Sequence, residues 1–186
     1  MEYREIKGCL ISMALNGEFD VITHGCNCFC TMGAGIAPKM AKEFECNNFE
    51  MELSGKGDIN KLGQIDFNTY YKRPDGTLFV DYDNYVDLHD GEEPYLIVVN
   101  SYTQYKYGSN HIDGVKKPID YEALTLCMRK INHIFAGKHI GLPGLIGCGL
   151  AGGKEEIVKE IIKKELKDCD VTIVYLNKWP KDVKFV

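Results

Sequence analysis

An α/β fold is what this sequence predicts, on three observations. Two short apolar strands run into loops rich in small residues that open helices, at 20–44 and at 138–166. The run YLIVV at 95–99 is continuously apolar, as a central strand covered on both faces is. The stretch GQIDFNTYY at 63–71 alternates apolar and polar residues. It pairs, across the turn Arg73-Pro74-Asp75-Gly76, with a second alternating run at 78–82.

Taken in order, residues 3–13 alternate loosely and predict a first strand, with Gly8 as a bulge or turn. Asn16-Gly17 is a strong turn signal. Val21-Ile22-Thr23 is β-branched and bounded by Asp20 and Gly25, which suits a buried strand. Gly33 and Gly35 then flank Ala34, and a helical stripe follows at Ile36, Ala37, Met40, Ala41 and Phe44. Pro38 falls in the first helical turn, where its missing N–H costs little. Residues 45–63 read as a short helical piece and a polar loop, and the acidic tract at 81–94 as solvated surface. After the 95–99 strand a long tyrosine-rich loop is expected over 100–118, beyond the carboxyl end of a central strand, where open α/β sheets bind ligands. Asp120 caps a helix with Leu124, Met128, Ile131 and Phe135 as its stripe and Gly137 as its stop. A strand at 139–142 leads through Gly144, Gly147, Gly149, Gly152 and Gly153 to a helix starting near Lys154. That helix has Glu155 and Glu156 in its first turn and Ile157, Ile161, Ile162 and Leu166 on one face. Residues 171–176 form a last buried strand. No repeat or linker divides the chain, so one domain over 1–186 is expected.

The composition narrows the partners. With 27 acidic against 22 basic residues, a formal charge of −5 and no run of Lys or Arg, bulk binding to nucleic acid or to an anionic membrane is disfavoured. There is no signal-peptide pattern and no 18-residue apolar run, so a cytoplasmic, monomeric protein is expected. Its eight cysteines are then read as thiols. His24, Cys26, Cys28 and Cys30 share one parity, which raises zinc, yet the paired C-x-x-C spacing of structural sites is missing. Neither a metal nor a cofactor is expected.

The two loops carry the chemistry. A strand feeding a glycine loop that opens a helix offers unpaired backbone N–H groups and the positive end of a helix dipole to an anion. Two such loops can line two sides of one diphosphate cleft. A nucleotide-dependent oxidoreductase or a P-loop enzyme is disfavoured, the latter because G-x-x-x-x-G-K-[ST] is absent.

HGCNCFCTMGAGIA at 24–37, followed by a helix, and IGCGLAGG at 146–153, opening a later one, together resemble the macrodomain family. The resemblance runs from KGCLI near the start to VTIVYL near the end. It implies a three-layer α/β/α fold around a mixed sheet, with a cleft for ADP-ribose. By the match, Asn27 contacts the distal ribose. Gly33, Ala34, Gly35 and Ile36 wrap one side of the diphosphate, and Gly147, Cys148, Gly149, Leu150 and Ala151 the other. His24 with the following Cys-Asn pair is most similar to the ADP-ribose 1″-phosphate phosphatase branch, in which a histidine at this place takes part in catalysis. The segment 100–104 also suits that branch. Cys9 stands where many members carry an Asp that recognises adenine. The branch that cleaves glutamyl esters uses a Lys and an Asp. Here Ala151 holds the aspartate's place, and no lysine lies within 95–104.

The resemblance therefore implies a hydrolase acting on ADP-ribose derivatives, either the 1″-phosphate or ADP-ribose carried by a modified macromolecule. The alternative is a non-catalytic ADP-ribose reader. His24, and Asp113 in the long loop, are the candidate acid/base groups, since catalysis near neutral pH needs a side chain that titrates there.

Overall fold

Seven strands make one mixed sheet in the computed structural model, which describes residues 1–48, 55–80, 93–107 and 118–176. The strands are β1 (Tyr3–Lys7), β2 (Val21–Asn27), β3 (Ile65–Lys72), β4 (Leu78–Val80), β5 (Leu96–Gln104), β6 (His139–Pro143) and β7 (Asp170–Tyr175). Their order is β1-β7-β6-β2-β5-β3-β4. The first five of these run parallel, while β3 is antiparallel to both β5 and β4. The hairpin of β3 and β4 forms on the Pro-Asp-Gly turn, as its alternation predicts, and caps one edge.

Helices cover both faces. On one, α3 (Tyr121–Ile134) and α4 (Glu155–Glu165) pack over Val21, Val99, Ile140, Leu142, Val171 and Ile173. On the other, α1 (Leu10–Leu15) and α2 (Ala37–Phe44) pack over Ile22, Leu96, Val98 and Val174. This is the three-layer α/β/α arrangement. The Asp120 carboxylate caps α3, accepting the Ala123 N–H at 2.9 Å. Met40 and Phe44 of the α2 stripe are buried, as are Leu124, Met128, Ile131 and Phe135 along α3. On α4 the buried positions are Val158, Ile162, Glu165 and Leu166, whereas Ile157 and Ile161 of the expected stripe are only half-buried.

Two expectations are corrected. Residues 10–15 are helical rather than strand, because Leu10, Ile11 and Ala14 form one buried helical face over the β2–β6 region. The strand that starts at Leu96 does not stop at Val99. It continues through Asn100, Ser101, Tyr102 and Thr103 to Gln104, with the polar residues paired across to β2 and β3. The segments 49–54, 81–92, 108–117 and 177–186 lie outside the described residues, including most of the acidic tract and of the expected loop.

Candidate functional site

Parallel strands end on the same side, so the carboxyl ends of β2, β5 and β6 meet at one edge of the sheet, where ligands bind in folds of this type. A cleft of about 670 Å³ opens there. One wall is the loop from Thr31 to Ile36 that enters α2, and the other is the turn-rich segment from Gly144 to Ala151 that follows β6. Of the expected ligand residues, Asn27, Gly33, Ala34, Gly35, Ile36, Gly147, Gly149, Leu150 and Ala151 all line it.

Both walls present amides. Among the described residues, the N–H groups of Gly33, Ala34, Gly35 and Ile36 meet no acceptor, and neither do those of Gly147, Gly149, Leu150 and Ala151. Gly35 has φ +64°, a left-handed conformation, and nothing lies within 4 Å of a Cβ placed there, so the backbone faces open space. Gly147 has φ +68°, and a Cβ there would come within 2.2 Å of Ile119 Cδ1, so only glycine lets this wall sit against the start of α3. No Asp, Glu, His, Lys or Arg lines the cleft among the described residues. A guest anion would be held by main-chain dipoles rather than by ion pairs.

Cys148 leaves the expected set. Its Sγ donates to Ile146 O at 3.4 Å, its backbone N–H donates to Leu145 O at 2.8 Å, and its side chain packs on the core beneath α4. Burial pushes its thiol up to about 11. Cys148 thus turns to the core, while Gly147 and Gly149 on either side of it line the cleft.

Asn27 faces the cleft but fastens its own loop. Its Oδ1 accepts from Phe29 N at 3.0 Å and Thr31 N at 3.2 Å, and its Nδ2 donates to Thr31 O at 2.9 Å. One Nδ2 hydrogen is left for a ligand.

His24 does not reach the cleft, contrary to the expectation that it ends its strand there. Strand β2 runs three residues further, and His24 is fully buried on the α2 side of the sheet. Its Nε2 lies 2.9 Å from Asn100 Oδ1, while Asn100 Nδ2 donates to Cys46 O at 2.8 Å. Asn100 Oδ1 is therefore the acceptor and His24 Nε2 carries the hydrogen, an assignment made from the network. Burial pushes the imidazole down to about 4, against the opposing effect of the Asn100 bond, so it is neutral at pH 7. Cys26 Sγ, 3.6 Å from Nε2, separates the ring from the cleft that Cys26 lines. Asp113 lies outside the described residues. Among the described residues no three His, Cys, Asp or Glu side chains gather as a metal site.

One residue was missed by sequence reasoning. Strands β2 and β5 pair regularly to Cys26–Tyr102, after which Asn27 pairs with Gln104, so Thr103 is an extra residue in a bulge. Bulges re-aim side chains beside sites. Thr103 lines the cleft, is 1% exposed, and its Oγ1 has no partner among the described residues. Its carbonyl accepts from Asp120 N at 2.9 Å, which ties the bulge to the cap of α3. Nothing in the string NSYTQ announces a bulge. Residues 147–152, GCGLAG, do carry the spacing G-x-G-x-x-G. However, β6 ends at Pro143 and α4 begins at Glu155, so these glycines lie in turns rather than joining strand directly to helix, as a dinucleotide fold requires.

A mixed seven-stranded sheet between two helical layers, with an amide-walled cleft across the ends of its parallel strands, is the macrodomain fold. The chain is 29% identical over 182 residues to an uncharacterised 17.5 kDa protein of the tk-vs intergenic region of Enterobacteria phage T4, covering 94% of this chain and 96% of that one. It resembles the structure of a protein of unknown function from Bacteroides thetaiotaomicron, with a TM-score of 0.64, 27% identity, and 95% and 99% of the two chains covered. The macrodomain of Thermus aquaticus DarG superposes with a TM-score of 0.58 at 16% identity, covering 95% of this chain and 98% of that one. Thermosipho africanus DarTG in complex with ADP-ribose matches with a TM-score of 0.57 at 18% identity, covering 93% of this chain and 41% of that one. No protein-family model matches.

Proposed function

We propose that this protein binds ADP-ribose, free or carried on a macromolecule, in the cleft between residues 33–36 and 147–151. The observation that carries the reading is the eight N–H groups that meet no acceptor among the described residues, four on each wall of the cleft, which suit the two phosphates of a diphosphate. The likeness to a DarTG structure solved with ADP-ribose supports it. In this reading the spare Asn27 Nδ2 hydrogen and the Thr103 hydroxyl meet the distal ribose, because both flank the β2–β5 bulge. Titration calorimetry with ADP-ribose, ADP and AMP tests it. ADP-ribose should bind far more tightly than AMP, which lacks the diphosphate, and equal affinities would refute the cleft assignment.

Hydrolysis is the second reading, favoured by the orphan Thr103 hydroxyl, which can hold a water molecule beside the distal ribose. His24 enters this reading only as a neutral prop. Through Asn100 and Cys26 it braces the end of β2 rather than exchanging protons with substrate. The 1″-phosphate and ADP-ribosylated protein or nucleic acid are the substrates to assay, with Asp113→Ala as the acid/base variant. Tight binding with no turnover of any of them would leave the reader.

A further inference from the structure

The geometry points to Cys30 and Lys61 as an oxidative cross-linking site, in which a hydroperoxide-class oxidant joins the thiol to the lysine amine. The proposal goes beyond the ligand reading and does not depend on it. Lys61 is 4% exposed, an unusual position for an ammonium, and among the described residues no carboxylate lies within ion-pair distance, although its charge is felt at Asp66. Its Nζ approaches Cys30 Sγ at 3.7 Å and lies 5.6 Å from the centroid of the Tyr102 ring. The Tyr102 hydroxyl, which donates to Asp66, is 3.6 Å from the same sulfur. Amine and thiol are thus held in contact.

The thiol is also reachable. Cys26, Cys28, Cys46, Cys127 and Cys169 are buried, while Cys9, Cys30 and Cys148 are partly exposed. Of these three, only Cys30 has an amine in hydrogen-bonding contact among the described residues. It sits in a tight turn, with φ 56° and its N–H donating to Asn27 O at 2.9 Å. Lys61 ends a short 3-10 turn, Ile59–Lys61, whose approach is strapped to the same loop by Gly57 N donating to Cys28 O at 2.8 Å. A bond between them would fuse the two loops.

The chemistry proceeds in two steps. The Cys30 sulfur attacks a peroxide oxygen, an S–O bond forms and the O–O bond breaks. Sulfur loses two electrons, and the other oxygen leaves reduced, as water from hydrogen peroxide. The Lys61 nitrogen, having given one proton to solvent, then attacks the sulfenic sulfur. The S–N bond forms, the S–O bond breaks, and the oxygen departs as water with a second nitrogen proton. The product is a sulfenamide that lacks two hydrogens relative to the reduced chain, and thiols reverse it.

Peptide mapping by mass spectrometry after treatment of the full chain with hydrogen peroxide is the test. The expected result is a linked peptide pair joining Cys30 to Lys61, lacking two hydrogens and released by dithiothreitol. Lys61→Arg keeps the charge but removes the primary amine, and should leave Cys30 as a sulfenic acid that dimedone traps. Recovery of wild-type Cys30 unmodified, in a disulfide with another cysteine, or as an uncross-linked sulfinic acid would overturn the proposal, whatever the variant does.

Discussion

Gly35 separates backbone strain from ligand charge with two substitutions. Its φ of +64° penalises any side chain by about 1 kcal/mol. That cost falls on Gly35→Ala and Gly35→Glu alike. Sterics add nothing, because no atom lies within 4 Å of the new Cβ. The variants differ in the glutamate carboxylate, which shares the cleft with the ligand's phosphates. At about 4 Å and an effective dielectric of about 20, one such like-charge pair costs about 4 kcal/mol. Salt in an open cleft halves this, leaving about 2 kcal/mol, or roughly thirtyfold in affinity. Calorimetry with ADP-ribose should therefore show Gly35→Ala within a few-fold of the natural protein and Gly35→Glu about thirtyfold weaker than Gly35→Ala. Thermal melts should shift both variants alike. Equal affinities of the two folded variants would refute the placement of a diphosphate beside residue 35.

Three further outcomes are expected. His24, held near 4 against its ordinary 6.5, resists protonation in the fold, so its contribution to stability is lost as pH falls from 6.5 towards 4. Asp66, raised by burial from 3.8 to about 6, keeps its proton in the fold, so it adds stability over nearly the same descent. Asp66→Asn removes that offset and should make urea-measured stability fall about 2 kcal/mol more steeply between pH 7 and 4.5; parallel profiles for the two proteins would contradict it. Thr103→Val replaces an unsatisfied buried hydroxyl with a methyl group and should stabilise the free protein by about 1 kcal/mol while weakening ADP-ribose, read by melts and calorimetry. A destabilised free protein would mean that the hydroxyl is satisfied within the fold. ADP-ribose should bind unchanged in a chelator, since amides rather than carboxylates line the walls, and a lost signal would show that a metal takes part.

Legibility in the sequence followed the physics of each element. The loops before α2 and α4 could be read because they join a short β-branched or apolar strand to an amphipathic helix through glycines, and each part has its own local signal. The extension of β5 could not. Asn100 and Ser101 are loop-formers by propensity, and what makes them strand is pairing across the sheet: Thr23 Oγ1 with Ser101 Oγ at 2.7 Å, and His24 with Asn100 at 2.9 Å. His24 follows the same rule. The glycine after it signals a strand end, but β2 continues to Asn27 because β5 is there to pair with it. Cys148 was carried along by its neighbours in a motif, and only the turn geometry shows that it faces the core. In each case the missing information was tertiary.

The bulge at Thr103 has a genetic consequence. Cys26 and Asn27 are adjacent in β2, yet their partners Tyr102 and Gln104 are separated by one residue in β5. Deleting a single codon at 103 would make those partners adjacent too, and the ladder would run without interruption. Such a mutant would lose the hydroxyl at the cleft floor together with the carbonyl that accepts Asp120 N, whereas Thr103→Val loses the hydroxyl alone. Most positions that matter to a site are guarded by the instability of their mutants. This hydroxyl is not, so its loss would leave a healthy, silent protein that a screen for folding or abundance would pass.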